Sequence, residues 1–185
     1  MDGIVTKIGV RLPRRILRGL QSSSDRVGSA RRVASGLVLV PVFGVIVVAG
    51  RAASALRSPI VMITEAGNGR FRCQLPDLVQ MYIATFGVWE PDVTAFIRSS
   101  LGSGDVCVDI GANIGWCAVA AADAVGDEGR VVAVEASPSM AAELRENIRR
   151  SGHEGRVRVA ECVASAERGT LTIYSGPTPN RGLAT

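Results

Sequence analysis

Two carboxylates and a glycine-bearing turn are the residues most suited to chemistry. The run Asp105-Val-Cys-Val-Asp109-Ile-Gly111-Ala112-Asn113-Ile-Gly115-Trp116 reads as a β-branched strand feeding a turn and then a helix. Gly111 permits a tight turn and a close approach of backbone to ligand, and Gly115 lets the following helix pack near the strand. Asp109 closes that strand, so its side chain belongs beside a ligand rather than in the core. Further on, Arg130-Val-Val-Ala-Val-Glu135 is a second strand ending in an acid, followed by Ala136 and by Ser137-Pro138, a cap and first turn for a helix.

An acid at the first position repels phosphate and suits a ligand with a cationic amino-acid portion. The dinucleotide fingerprint is also unmet, because Asn113 stands where a second glycine would let pyrophosphate approach. The residues therefore favour S-adenosylmethionine over NAD, and a carboxylate at Glu135 can accept hydrogen bonds from both ribose hydroxyls. Blander roles stay open: Asp109 as a cap for the next helix, Glu135 as an ordinary acid at a strand end. The functional reading is preferred because open α/β sheets bind ligands at the carboxyl ends of neighbouring parallel strands.

The elements that must position these groups follow from Pro59 onward. Ile60–Thr64 and Arg70–Leu75 flank Gly67-Asn68-Gly69, a hairpin signal. Helices are expected over Leu78–Phe86, Pro91–Leu101, Ile114–Val125 and Ser139–Arg150, and strands over Val106–Ile110, Val131–Glu135, Val157–Cys162 and Thr170–Tyr174. Alternating strands and helices imply parallel pairing with right-handed crossovers. The expected fold is α/β: a partial doubly wound, Rossmann-like parallel sheet in three layers, with an N-terminal hairpin and helix element.

Composition agrees. The chain has 185 residues, 47% of them hydrophobic and only 4% aromatic, enough for one domain covered by helices rather than a surface built from rings. The net charge of +4 is concentrated in residues 1–35, where eight basic residues face Asp2 and Asp25, and the remainder is slightly acidic. A fold-wide nucleic-acid surface is not indicated, although the leader could touch an anionic membrane. Three zones result: a basic leader over 1–35, disordered or helical; an apolar segment over 36–57; and the α/β domain over 58–185.

The uncharged run from Gly36 to Gly50 is short for a span and interrupted by Pro41 and Gly44. A single span would also export everything after Arg51. Three readings stand: peripheral or re-entrant membrane contact through residues 1–50, which is preferred, a helix packed on the domain, and a translation start set too far upstream. The expected location is the cytoplasm, with or without that contact.

Cys73, Cys107, Cys117 and Cys162 form no C-x-x-C pair, and one histidine, His153, does not complete a metal set, so no metal site is expected. Cys107 and Cys117 read as small buried hydrophobes and His153 as a solvated loop residue. Trp116 reads as packing. Glu143, Arg145, Glu146, Arg149 and Arg150 read as a solvated helix face with Glu146 and Arg150 an i,i+4 pair.

Taken together, Phe86-Gly87-Val-Trp89-Glu90-Pro91, the turn from Gly104 to Gly115, and Val132-Ala-Val-Glu-Ala-Ser-Pro138 with Leu144 and Asn147 resemble the FkbM-type methyltransferases over about residues 60–185. The resemblance implies a class I fold, S-adenosylmethionine as methyl donor and a hydroxyl acceptor on a sugar, polyketide or related metabolite. By motif, Asp109, Gly111, Ala112, Asn113 and Gly115 would surround the amino-acid part of the cofactor. Glu135 and Ala136 would meet its ribose, with Glu90 approaching from the preceding helix. Cys162 and Val163 would line the adenine, Val163 being bulkier than the alanine expected there. Similar proteins continue well beyond this length, so the first strand is expected to lie at a sheet edge, and no catalytic base can be named. The competing readings are a non-catalytic truncated remnant and a fragment of an NAD(P)-binding oxidoreductase.

Overall fold

The computed structural model describes residues 44–45, 47–53, 55, 60–67 and 69–173. The leader 1–35, most of the apolar run, Asn68 and Tyr174 lie outside the described residues. Helical backbone occupies 44–45, 47–53 and 55, and a Cβ on Gly50 would lie 3.1 Å from Leu75 and 3.2 Å from Pro76. This turn of helix therefore rests against the end of the hairpin, while Val45 and Val48 are exposed. Among the described residues no helix is long and apolar enough to cross a membrane.

Strands β1 (Val61–Ala66) and β2 (Gly69–Gln74) form the expected antiparallel hairpin, with Val61 opposite Gln74 and Ala66 opposite Gly69. Helix α1 (Leu78–Phe86) starts at Asp77, whose carboxylate accepts the Gln80 N–H, and stops at Gly87 in the left-handed region. Helix α2 (Pro91–Ser100) has proline in its first turn. Then come β3 (Val106–Ile110), α3 (Trp116–Val125), β4 (Arg130–Glu135), α4 (Pro138–Arg150) and β5 (Val157–Glu161). Residues 170–173 are not in a strand, so the expected fourth parallel element is not formed within the described part.

The three later strands are parallel in the order β3-β4-β5, with Asp109 opposite Ala133 and Glu135 opposite Glu161. Because each crossover is right-handed and moves the same way, α3 and α4 fall on one face. Their side chains Val119, Val125, Met140, Leu144 and Ile148 join Val131 and Ala133 in one core. The hairpin packs on the far side of α4, and Phe71 lies 5.1 Å from Trp116. The third layer among the described residues is thus the hairpin rather than a second set of helices. As expected, β3 is an edge strand there, and Val106, Val108 and Ile110 are 69%, 58% and 66% exposed on the uncovered face.

Several surface assignments are corrected by packing. Glu143 is buried and its carboxylate lies 3.9 Å from Arg72, because α4 is covered by the hairpin. His153 is buried too, with Nε2 3.1 Å from Asp123; burial pushes its pKa down and outweighs the opposing pull of Asp123. Cys107 and Cys117 are half-buried rather than fully enclosed, Cys73 is buried and Cys162 exposed. The Glu146–Arg150 pair forms at 2.6 Å, and Trp116 is a packing residue.

Candidate functional site

The first strand delivers Asp109 to its carboxyl end, and the chain turns through Gly111 at φ 80°, Asn113 at φ 49° and Gly115 at φ 95°. Asparagine is among the few residues besides glycine that tolerate this region. The turn is anchored to the neighbouring strand, since Gly111 N–H and Ala112 N–H both donate to the Val134 carbonyl, at 2.9 and 3.0 Å. Ala112 is buried beneath it.

Glu135 closes the second strand, is 8% exposed, and engages both turns at once. Its Oε2 accepts the Asn113 N–H at 2.9 Å and its Oε1 accepts the Ser137 N–H at 2.8 Å. One carboxylate therefore clips the β3–α3 turn to the β4–α4 turn, and each oxygen keeps acceptor capacity for a further donor. Ser137 does occupy the cap position, but its hydroxyl contacts Ser139 at 3.1 Å instead of capping a backbone N–H. Ala136, between them, is half-buried.

Asp109 and Ala133 share a face by register, and Glu135 lies two residues beyond Ala133 on that same face. The two acids are close enough that Glu135 adds to the upward push on the Asp109 pKa, whose largest cause is burial; a hydrogen bond from the Ala118 backbone opposes both. Asp109 does therefore support the first turn of α3. Its Oδ2 is nonetheless buried with no partner, as is Oδ1 of Asn113. Among the described residues neither acid is held in a salt bridge. Two buried acceptors without a partner among the described residues, one at the strand end and one in the turn that follows it, suit a ligand bearing N–H donors and positive charge.

Glu90 precedes α2 in the left-handed region, at φ 42° and ψ 67°, a strained conformation for glutamate. Its position is held by a relay that sequence patterning does not reveal. Trp116 Nε1 donates to Thr94 Oγ1 at 2.9 Å, and that hydroxyl donates to the Trp89 carbonyl at 3.3 Å. Burial raises the Cys117 thiol to about 11, with the charges of Asp109 and then Glu90 adding to the push, so that thiol stays protonated. Cys162 and Val163 follow the carboxyl end of β5, as expected. They are exposed and line a shallow depression with Ser165, Glu167 and Leu171 that includes neither Asp109 nor Glu135. Among the described residues no group of three or more His, Cys, Asp or Glu side chains could hold a metal ion.

Residues 89–170 match the family model for protein-L-isoaspartate(D-aspartate) O-methyltransferase, a stretch that contains Glu90, the turn, both acids and Val163. No curated relative matches the chain. Among solved structures, it is similar to an O-methyltransferase from Bacillus cereus in complex with SAH (28% identity, 41% of this chain, 35% of that chain, TM-score 0.37). It is also similar to a protein-L-isoaspartate O-methyltransferase (22%, 60%, 31%, 0.38) and to a precorrin-6y C5,15-methyltransferase from Geobacter metallireducens (25%, 43%, 42%, 0.38). The chain spans 31–42% of the length of these three. The stretch from Trp89 to Thr170 is thus similar to a family of O-methyltransferases.

Proposed function

We propose that this chain binds S-adenosylmethionine across the carboxyl ends of β3 and β4 and serves methyl transfer to an oxygen. The observation carrying this reading is the pairing of Asp109 and Glu135 on one face, with Asp109 Oδ2 buried and unpartnered beside a turn of three positive-φ residues. A cationic ammonium or sulfonium beside Asp109 would offset the cost of burying its charge, whereas a phosphate would add to it.

The cofactor would supply an activated methyl group. This chain's residues would bind and orient it: Asp109, Gly111, Ala112, Asn113 and Gly115 around the amino-acid portion, Glu135 and Ala136 at the ribose, Glu90 from the α2 side, and Cys162 with Val163 toward the base. Such a transfer needs chiefly positioning and exclusion of water, and no base is assigned among the described residues. The finer reading, a hydroxyl acceptor on a sugar or secondary metabolite as in FkbM-type enzymes, rests on the Trp89-Glu90-Pro91 and Asp109–Gly115 motifs.

Calorimetry with S-adenosylmethionine and its demethylated product tests the binding claim. Binding by the wild-type chain that is weakened at least about tenfold in Asp109→Ala is expected, as for loss of one charge-assisted contact. A folded protein that binds neither compound, or binds equally well without Asp109, refutes it. Titration with NADH addresses the oxidoreductase alternative, which Asn113 and the unpaired Asp109 disfavour. Peripheral membrane contact through residues 1–50 is a separate proposal, overturned if the protein stays wholly in the supernatant of membranes before any carbonate wash.

A further inference from the structure

The Gly111–Gly115 turn is held from below by a side chain of α4. Asn147 is fully buried on α4. Its Oδ1 accepts the Arg72 N–H of β2 at 2.7 Å, while its Nδ2 donates to the Ile114 carbonyl at 3.0 Å and lies 3.5 Å from the Arg72 carbonyl. Ile114 belongs to the turn between Asn113 and Gly115.

Four residues on, at the cap that ends the same helix, Ser151 repeats the pattern on the hairpin: its hydroxyl accepts the Arg70 N–H at 3.1 Å and lies 3.4 Å from the Arg70 carbonyl. Geometry explains the match. Four residues of helix rise about 6 Å, and two residues of strand advance roughly 6.6 Å, so an i,i+4 pair can serve successive outward-facing peptide groups of an edge strand. Residues 147 and 151 thus act as a surrogate third strand for the hairpin, and Gly69 lets the strand approach Ser151 closely. The two differ in one respect. Only Asn147 has a further donor, and it is spent on the cofactor turn.

We infer that Asn147 is a positioning residue that fixes the Gly111–Gly115 turn in its ligand-ready shape by tying it to α4 and the hairpin. For cofactor affinity this rests on the reading under Proposed function; for turn geometry it does not. With Ile114 C=O anchored, the Asn113 N–H is presented to Glu135.

Asn147→Asp separates the two duties. An ionised aspartate still accepts from Arg72 N–H but offers Ile114 only a repelling oxygen. A protonated one can donate to Ile114 while its other oxygen accepts from Arg72, and burial raises the pKa at which this form appears. Amide hydrogen exchange on the whole chain is the primary readout. At neutral pH the amides of Gly111–Gly115 in Asn147→Asp are expected to exchange about tenfold faster than wild type, as for one lost buried hydrogen bond. Protection should return relative to wild type as pH is lowered through the raised pKa. Ser151→Ala, the control, should loosen only the hairpin amides.

In parallel, the Kd for S-adenosylmethionine should rise about tenfold in Asn147→Asp and stay unchanged in Ser151→Ala. Should the aspartate variant not fold, Asn147→Ala removes the donor without charge, together with the acceptor for Arg72 N–H, and is judged by the same turn amides. Wild-type protection of the turn in the folded variant that persists above the raised pKa, or equal loosening by Ser151→Ala, overturns the inference. A wild-type chain that binds no S-adenosylmethionine overturns the functional reading instead, and the exchange result still decides the role of Asn147.

Discussion

Gly111 and Gly115 both have a positive φ and differ in what lies above their α-carbons. Comparing alanine at each isolates a packing effect from a backbone effect. At Gly111, φ is +80° and a Cβ meets nothing within 4 Å, so Gly111→Ala should cost only the left-handed strain of an L-residue, about 1–2 kcal/mol. At Gly115, φ is +95° and the added Cβ would lie 2.5 Å from Leu144 Cδ1, roughly 1 Å inside ordinary carbon contact. Ile148 Cδ1, at 3.7 Å, is not crowded. Overpacking adds about 1–3 kcal/mol, so Gly115→Ala should lose about 2–5 kcal/mol in all.

For a chain of this size each kcal/mol shifts Tm by about 2–4 °C, which makes the difference measurable by thermal melts, with urea titrations for the free energies. Leu144→Ala in the Gly115→Ala background should cost less than Leu144→Ala alone, because it removes the atom that clashes. Equal losses at the two glycines, or strict additivity in the cycle, would refute the claim that the turn rests directly on α4.

Other expectations are simpler to test. Because burial raises the folded-state pKa of Asp109, ionising it weakens the fold; Asp109→Asn should be more stable than wild type at pH 7, and the gap should close as pH falls below the unfolded value of about 4. A gap that widens on acidification would reverse the sign of this argument. Glu135→Gln leaves one of two backbone N–H groups without an acceptor, so a loss of about 1–3 kcal/mol is expected in urea titration; a loss under about 0.5 kcal/mol would contradict the double clip. Trp116→Phe keeps the ring contact with Phe71 but removes the donor to Thr94 Oγ1, whose own bond to the Trp89 carbonyl remains, and should cost about 1 kcal/mol and speed exchange at the α2 start. Timed alkylation should modify exposed Cys162 first and buried Cys73, whose thiol is held well above its usual pKa, last.

Local pattern alone was enough to place nearly every element between residues 60 and 161, since hydrophobic periodicity, β-branched runs and turn glycines are encoded by neighbours in the chain. Val106–Ile110 and Leu78–Phe86 needed no tertiary information, and parallel order followed from alternation. That two acids end neighbouring strands was equally legible, because an acid ending a strand is a local fact and parallel pairing puts two such ends together. What sequence could not supply was which polar residues turn inward. Glu143 and His153 look solvated until a hairpin or a neighbouring helix covers them, and Asn147 is one more helical asparagine until β2 and Ile114 arrive from 75 and 33 residues away. Long-range packing assigns those partners, and a buried amide has its role fixed only by the groups it meets.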